Sequence, residues 1–164
     1  MTDADATTPE TIALQLDRAL RKRRGVRAIA LYTYADELAS LLYPPQRYPE
    51  MLADDRARES ENLIRRACLA LGDPTGRALE VLCAFTPTFD RTTLQRRREE
   101  AGAILSPYGI QADTVRRSYI WNDLMLELAI AIRGLMGEPW ADTSNHGSGL
   151  LVGAGSDEKS NPAA

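Results

Sequence analysis

Histidine occurs once in this 164-residue chain, as His146, and cysteine twice, as Cys68 and Cys83. A tetrahedral zinc site draws four ligands mainly from these residue types, so no metal centre is expected. Two cysteines allow one pairing, which is no disulfide framework. Cys68 lies beside Ile64 and Leu71, and Cys83 beside Leu79 and Leu82, on apolar helical stripes. Both therefore read as reduced core thiols. Lysine is scarce too, since eighteen of the twenty basic residues are arginine. Long uncharged apolar runs are missing. The most apolar window, Ile120 to Met136, holds Asn122, Asp123, Glu127 and Arg133, which fits a buried helix better than a membrane span. The opening MTDADATTPE has neither the basic patch nor the apolar run of a secretory leader. A cytoplasmic protein without membrane contact is the expectation.

Catalytic signatures are equally absent. There is no P-loop, no dinucleotide-binding glycine fingerprint, no G-x-S-x-G and no H-E-x-x-H. The carboxylate pairs Asp54-Asp55 and Glu99-Glu100 are adjacent in sequence, so on helices they point to different faces and form no ready acid–base pair. His146 sits in a polar Ser-Asn-His-Gly stretch. No enzyme, no catalytic residue and no cofactor are expected. The formal net charge of −3 supplies no global positive field toward nucleic acid, although a binding face can be local.

What is present is helical periodicity. Thr8-Pro9-Glu10 reads as a cap with proline at the first helical position, and Ile12, Leu16, Ala19 and Leu20 mark one face. The helix is expected to run into RKRRG and stop at Gly25. A second helix is predicted from about Val26 to Leu42, with Ala30, Tyr34, Leu38 and Leu41 on one face. A third spans Asp54 to Leu71. Asp73 is expected to cap a fourth, which buries Leu79, Leu82 and Phe85. Thr92 and Gln95 fit a capping box for a fifth. The last helix is predicted from Ala112 to Met136, apolar enough to be either the centre of the fold or a dimer interface. From Gly137 onward the composition cannot offset chain entropy, so residues 138–164 are expected to be a disordered tail. Together these features predict an all-α fold: a flexible N-terminus over 1–8, then one compact bundle of five or six helices over 9–137.

One stretch carries a functional suggestion. RREEAGAILSPYGIQADTVRR, from Arg97 to Arg117, reads as two short helices around a turn. Gly102 is small enough for a helix crossing, Gly109 supplies the turn, Ile110 fills the angle and Val115 docks the second helix. This resembles the helix-turn-helix of bacterial transcription regulators and of sigma-factor region 4, with Ser106-Pro107-Tyr108 standing as an insertion before the turn. LGDPTGRALEVL, TTLQRRREEAGAIL and ADTVRR together resemble a helical module in small actinobacterial regulatory or adaptor proteins of unassigned role. The resemblance implies either a protein partner or DNA. On the DNA reading Gln111, Ala112 and Asp113 face the groove, Arg116 and Arg117 bind phosphate or guanine, and Arg96, Arg97 and Arg98 add phosphate contacts.

Between Asp90 and Ser118 six basic residues meet four acidic ones, a local charge of only +2. The run Arg96-Arg97-Arg98-Glu99-Glu100 also suits a solvated helix face. The leading expectation is thus a non-enzymatic helical interaction or regulatory module acting through protein partners, either monomeric or a homodimer. A DNA-binding transcriptional regulator using residues 97–117 stands second.

Overall fold

A computed structural model describes residues 7–22, 25–89, 91–108, 115 and 117–136. Among them there are seven α-helices and no strand: α1 (Pro9–Leu20), α2 (Ala28–Tyr34), α3 (Asp36–Leu42), α4 (Ala53–Leu71), α5 (Thr75–Leu82), α6 (Leu94–Leu105) and α7 (Ser118–Leu135). The all-α expectation holds, with seven helices in place of five or six. No helix among the described residues is long and apolar enough to cross a membrane. The predicted flexible N-terminus, apart from Thr7 and Thr8, and the predicted tail lie outside the described residues, as do Trp140 and His146.

Local chemistry explains most boundaries. Thr8 Oγ1 accepts the Thr11 amide at 3.2 Å and caps α1, while Pro9 occupies its first turn. Ile12, Leu16, Ala19 and Leu20 are all buried, as their spacing predicts. The helix ends at Leu20, short of the expected Gly25 stop. A single helix from Val26 to Leu42 does not form. The chain breaks at Ala35 (φ −140°, ψ 42°) into two seven-residue helices. Lys22 Nζ donates to the Tyr34 carbonyl at 2.6 Å, satisfying the end of α2, and Asp36 and Glu37 favour a fresh helix start. The break turns Tyr34 outward and brings Leu38, Ala39 and Leu42 inward.

Two predicted caps are displaced. Asp73 does not cap α5, whose N-cap position is Pro74 without a side-chain bond. The α6 cap is Thr93, whose Oγ1 accepts the Arg96 amide at 3.2 Å, whereas Thr92 Oγ1 donates to the Phe89 carbonyl. In each case the hydroxyl or carboxylate one residue away has the right chemistry and the wrong register.

Helix α7, expected as either the centre of the fold or a dimer interface, is not the helix with the most neighbours. Instead α4 touches the most neighbours, packing against α2, α3, α5 and α7, while α7 lies on α1 and α4 and brushes α5. The buried face of α4 explains this. It contains Ala57, Ser60, Ala67 and Cys68, small residues that let neighbouring backbones approach. Glu61 on the same helix accepts the Ala28 amide at 2.5 Å and pairs with Arg65 at 2.7 Å, pinning the start of α2. Arg56, also buried, donates from Nε to the Tyr43 carbonyl at 2.8 Å and ties down the loop after α3. In that loop Tyr43 and Tyr48 meet edge to face at 5.3 Å, with Tyr43 buried, so the pair is packing and not an exposed aromatic patch.

Candidate functional site

The arginine run at the head of α6 sends its three side chains to three different places. Arg96 is exposed and meets Glu99 at 3.4 Å, one turn along the helix. Arg98 lays its guanidinium over the Trp121 ring, 4.5 Å from the centroid. Trp121 Nε1 in turn donates to Asp17 of α1 at 2.6 Å. Arg97 goes inward and is 1 % exposed. A phosphate contact needs a cation at the surface, so the placement of Arg97 departs from its expected role.

The pocket that receives Arg97 is built from the end of α5 and the turn before α2. Helix α5 closes with the Phe85 amide donating to Glu80 and the Ala84 amide to Val81, with Ala84 in the left-handed region at φ 63°. This closure leaves the Leu82 carbonyl to accept from Arg97 Nη1. The Cys83 carbonyl accepts the Val26 amide at 3.2 Å. Gly25 stands between them at φ 63°, and any β-carbon there would strike the Cys83 carbonyl and come within 2.9 Å of Arg97 Nη1. Arg97 Nε finds no acceptor among the described residues. Burial lowers the pKa of the guanidinium from its ordinary value. The Cys83 thiol is pushed well up, first by its hydrogen bond with the Cys68 thiol and then by burial. Both cysteines are free and buried, as expected for core thiols.

Most of the second half of the expected helix-turn-helix, residues 109–114 and 116, lies outside the described residues. Ser106-Pro107-Tyr108 forms a 3₁₀ turn directly after α6. Val115 is buried in the main core, in keeping with its expected docking role. Arg117 is exposed and extended (φ −67°, ψ 133°), and α7 begins only after it. The long helix therefore starts at Ser118 and not at Ala112. Gln111, Asp113 and Arg116 lie outside the described residues. Of the predicted set, Arg96 and Arg117 sit exposed among the described residues and Arg97 is buried.

A groove opens beside α6, where the turn into α5 meets its second half. Its volume is about 370 Å³. Asp73, Arg77 and Glu100 form the polar edge, and Pro74, Ala103, Ile104 and Pro107 line the rest. Two carboxylates against one guanidinium make its charged lining acidic. No sequence pattern joins residues 73–77 to 100–107, because only the packing of α5 on α6 brings them together. The inward turn of Arg97 did have a signal. Leu94, Arg97, Ala101 and Leu105 recur at i, i+3, i+7 and i+11, which is the spacing of a core stripe.

Among the described residues no cluster of three or more His, Cys, Asp or Glu side chains is placed to hold a metal ion. No family model, curated protein or solved structure matches this chain.

Proposed function

We propose that the chain is a non-enzymatic helical module that works by binding a protein partner, with the groove beside α6 as the contact. The fate of the arginine run carries this reading. Two of its three guanidiniums serve the fold, one on the Leu82 carbonyl and one on Trp121, so α6 offers no ladder of cations to a phosphate backbone. What α6 does offer is an acidic, partly apolar groove at Asp73, Glu100 and Ile104. Such a surface suits a basic or amphipathic polypeptide segment.

The test compares baits. The wild-type chain, Glu100→Arg and Ala103→Arg are each crosslinked in the native cell. Both substitutions change the groove edge, and Ala103 is exposed, so the fold is expected to persist. A partner held by the wild type and lost by both variants supports the reading. In parallel, labelled duplex DNA is titrated at low ionic strength. Salt-dependent binding that falls on Arg117→Ala would favour the DNA-regulator reading instead.

A further inference from the structure

The outer face of α7 is a second surface, independent of the groove. Its inner face buries Trp121, Leu124, Met125, Leu128, Ala129 and Ile132. On the opposite side Tyr119 and Ile130 are each 55 % exposed. Eleven residues separate them, which on an α-helix is about 16 Å along the axis and about 20° around it. Leu126 lies between them and is half-buried. Tyr119, Leu126 and Ile130 therefore form one outward apolar line, running from the first turn of the helix to its fourth.

Charges flank that line in a particular order. Asp123 sits one turn from Tyr119, and Arg133 lies one turn beyond Ile130. Neither makes an ion pair among the described residues. When two copies of α7 are laid antiparallel about Leu126, position 133 of one falls opposite position 119 of the other. Arg133 then reaches over the Tyr119 ring to Asp123 of the second copy, and the two-fold axis repeats the contact. In a parallel pairing Asp123 faces Asp123 and Arg133 faces Arg133, which is repulsive. The pattern is self-complementary in one direction only.

We infer that the outer face of α7 is a homodimer interface, made by antiparallel packing of Tyr119, Leu126 and Ile130 and closed by Arg133–Asp123 pairs between copies. One helix per subunit buries less than the roughly 800 Å² per partner of a standard interface. Such a small interface belongs with weak, concentration-dependent association.

Sedimentation velocity on the full chain, from about 5 to 500 μM, tests this directly. The wild type should shift from monomer to dimer across that range. Ile130→Asp should remain monomeric, with unchanged circular dichroism and thermal midpoint. Arg133→Asp and Asp123→Arg should each weaken association about tenfold or more, because like charges then meet across the axis. The double swap, Asp123→Arg with Arg133→Asp, should return it to within about threefold of wild type. A wild type monomeric throughout overturns the proposal. So does association that survives Ile130→Asp, or a double swap as weak as the single changes. Loss of fold in Ile130→Asp would show that the face is covered within one subunit, and would overturn it as well.

Discussion

Removing the charge of Arg97 while keeping its length is expected to leave the protein at least as stable as it is now. Two effects oppose each other in Arg97→Met. The guanidinium donates to the Leu82 carbonyl, and losing a bond from a charged donor costs about 1.5–3 kcal/mol. Against this stands the desolvation of a cation that is 1 % exposed and has no carboxylate among the groups acting on it. That penalty is on the order of several kcal/mol, and methionine removes it. The unsheathed thioether also fits among Leu82, Ala101 and Leu105, which methionine fills adaptably. Arg97→Ala relieves the same desolvation but leaves an unfilled hole, worth about 2–5 kcal/mol for truncations of this size. We therefore expect Arg97→Met to be neutral or stabilising and Arg97→Ala to lose about 2 kcal/mol. Urea unfolding measures both, read as midpoint shifts at constant slope. An alanine variant within about 0.5 kcal/mol of wild type would refute the buried placement, since that is how surface positions behave. A methionine variant losing more than about 3 kcal/mol would refute the balance of terms.

Three further outcomes follow from single features. Ser60 is buried in α4 with no hydrogen-bond partner for its hydroxyl among the described residues, so Ser60→Ala should raise unfolding stability by about 1 kcal/mol in the same assay. Gly72 has φ 67° and ψ −176°, a region only glycine occupies readily, yet a β-carbon there would touch nothing. Gly72→Ala should thus lose about 1–3 kcal/mol from backbone strain alone, which thermal unfolding would register. Burial, followed by the charge of Glu59, pushes the Tyr43 phenol up to about 12. Between pH 10 and 12 the folded chain keeps a proton that the unfolded chain has lost, so stability should fall as pH climbs through that window. The fall should be on the order of 1 kcal/mol after allowance for screening. Tyrosinate absorbance should show a late-ionising component that Tyr43→Phe removes.

The helices that periodicity located are those whose stripes are cleanly apolar. Helix α1 is the clearest case, with cap, proline and four buried positions all predicted from Thr8 to Leu20. Where two residues compete for one role, the sequence does not decide between them. Thr92 and Thr93 both carry a hydroxyl, and only the backbone path from Phe89 selects Thr93. The break at Ala35 is less visible still. It depends on Lys22 reaching the Tyr34 carbonyl from twelve residues away, a contact no local pattern encodes. Overall hydrophobicity does not locate the central helix either. Helix α7 is more apolar, but α4 has the small residues that let four neighbours pack closely. At the candidate site the charge of the arginine run points to phosphate contacts, but its position on the helix decides where each side chain goes. Arg97 lies on the Leu94–Ala101–Leu105 stripe, and that register put it indoors.

The bond from Trp121 to Asp17 has a consequence for the nascent chain. It joins residues 104 positions apart, and α1 and α7 pack along one another around it. A ribosome adding about 5–20 residues per second needs roughly 5–20 s to make the intervening chain. Throughout that interval Ile12, Leu16 and Leu20 lack the helix that seals them, even after α3 has emerged to cover part of α1. Helix α1, made before α7, is thus among the last of the described helices to be fully enclosed. Its apolar face stays open to chaperone binding in the meantime, and slower translation between α3 and α7 would lengthen that exposure.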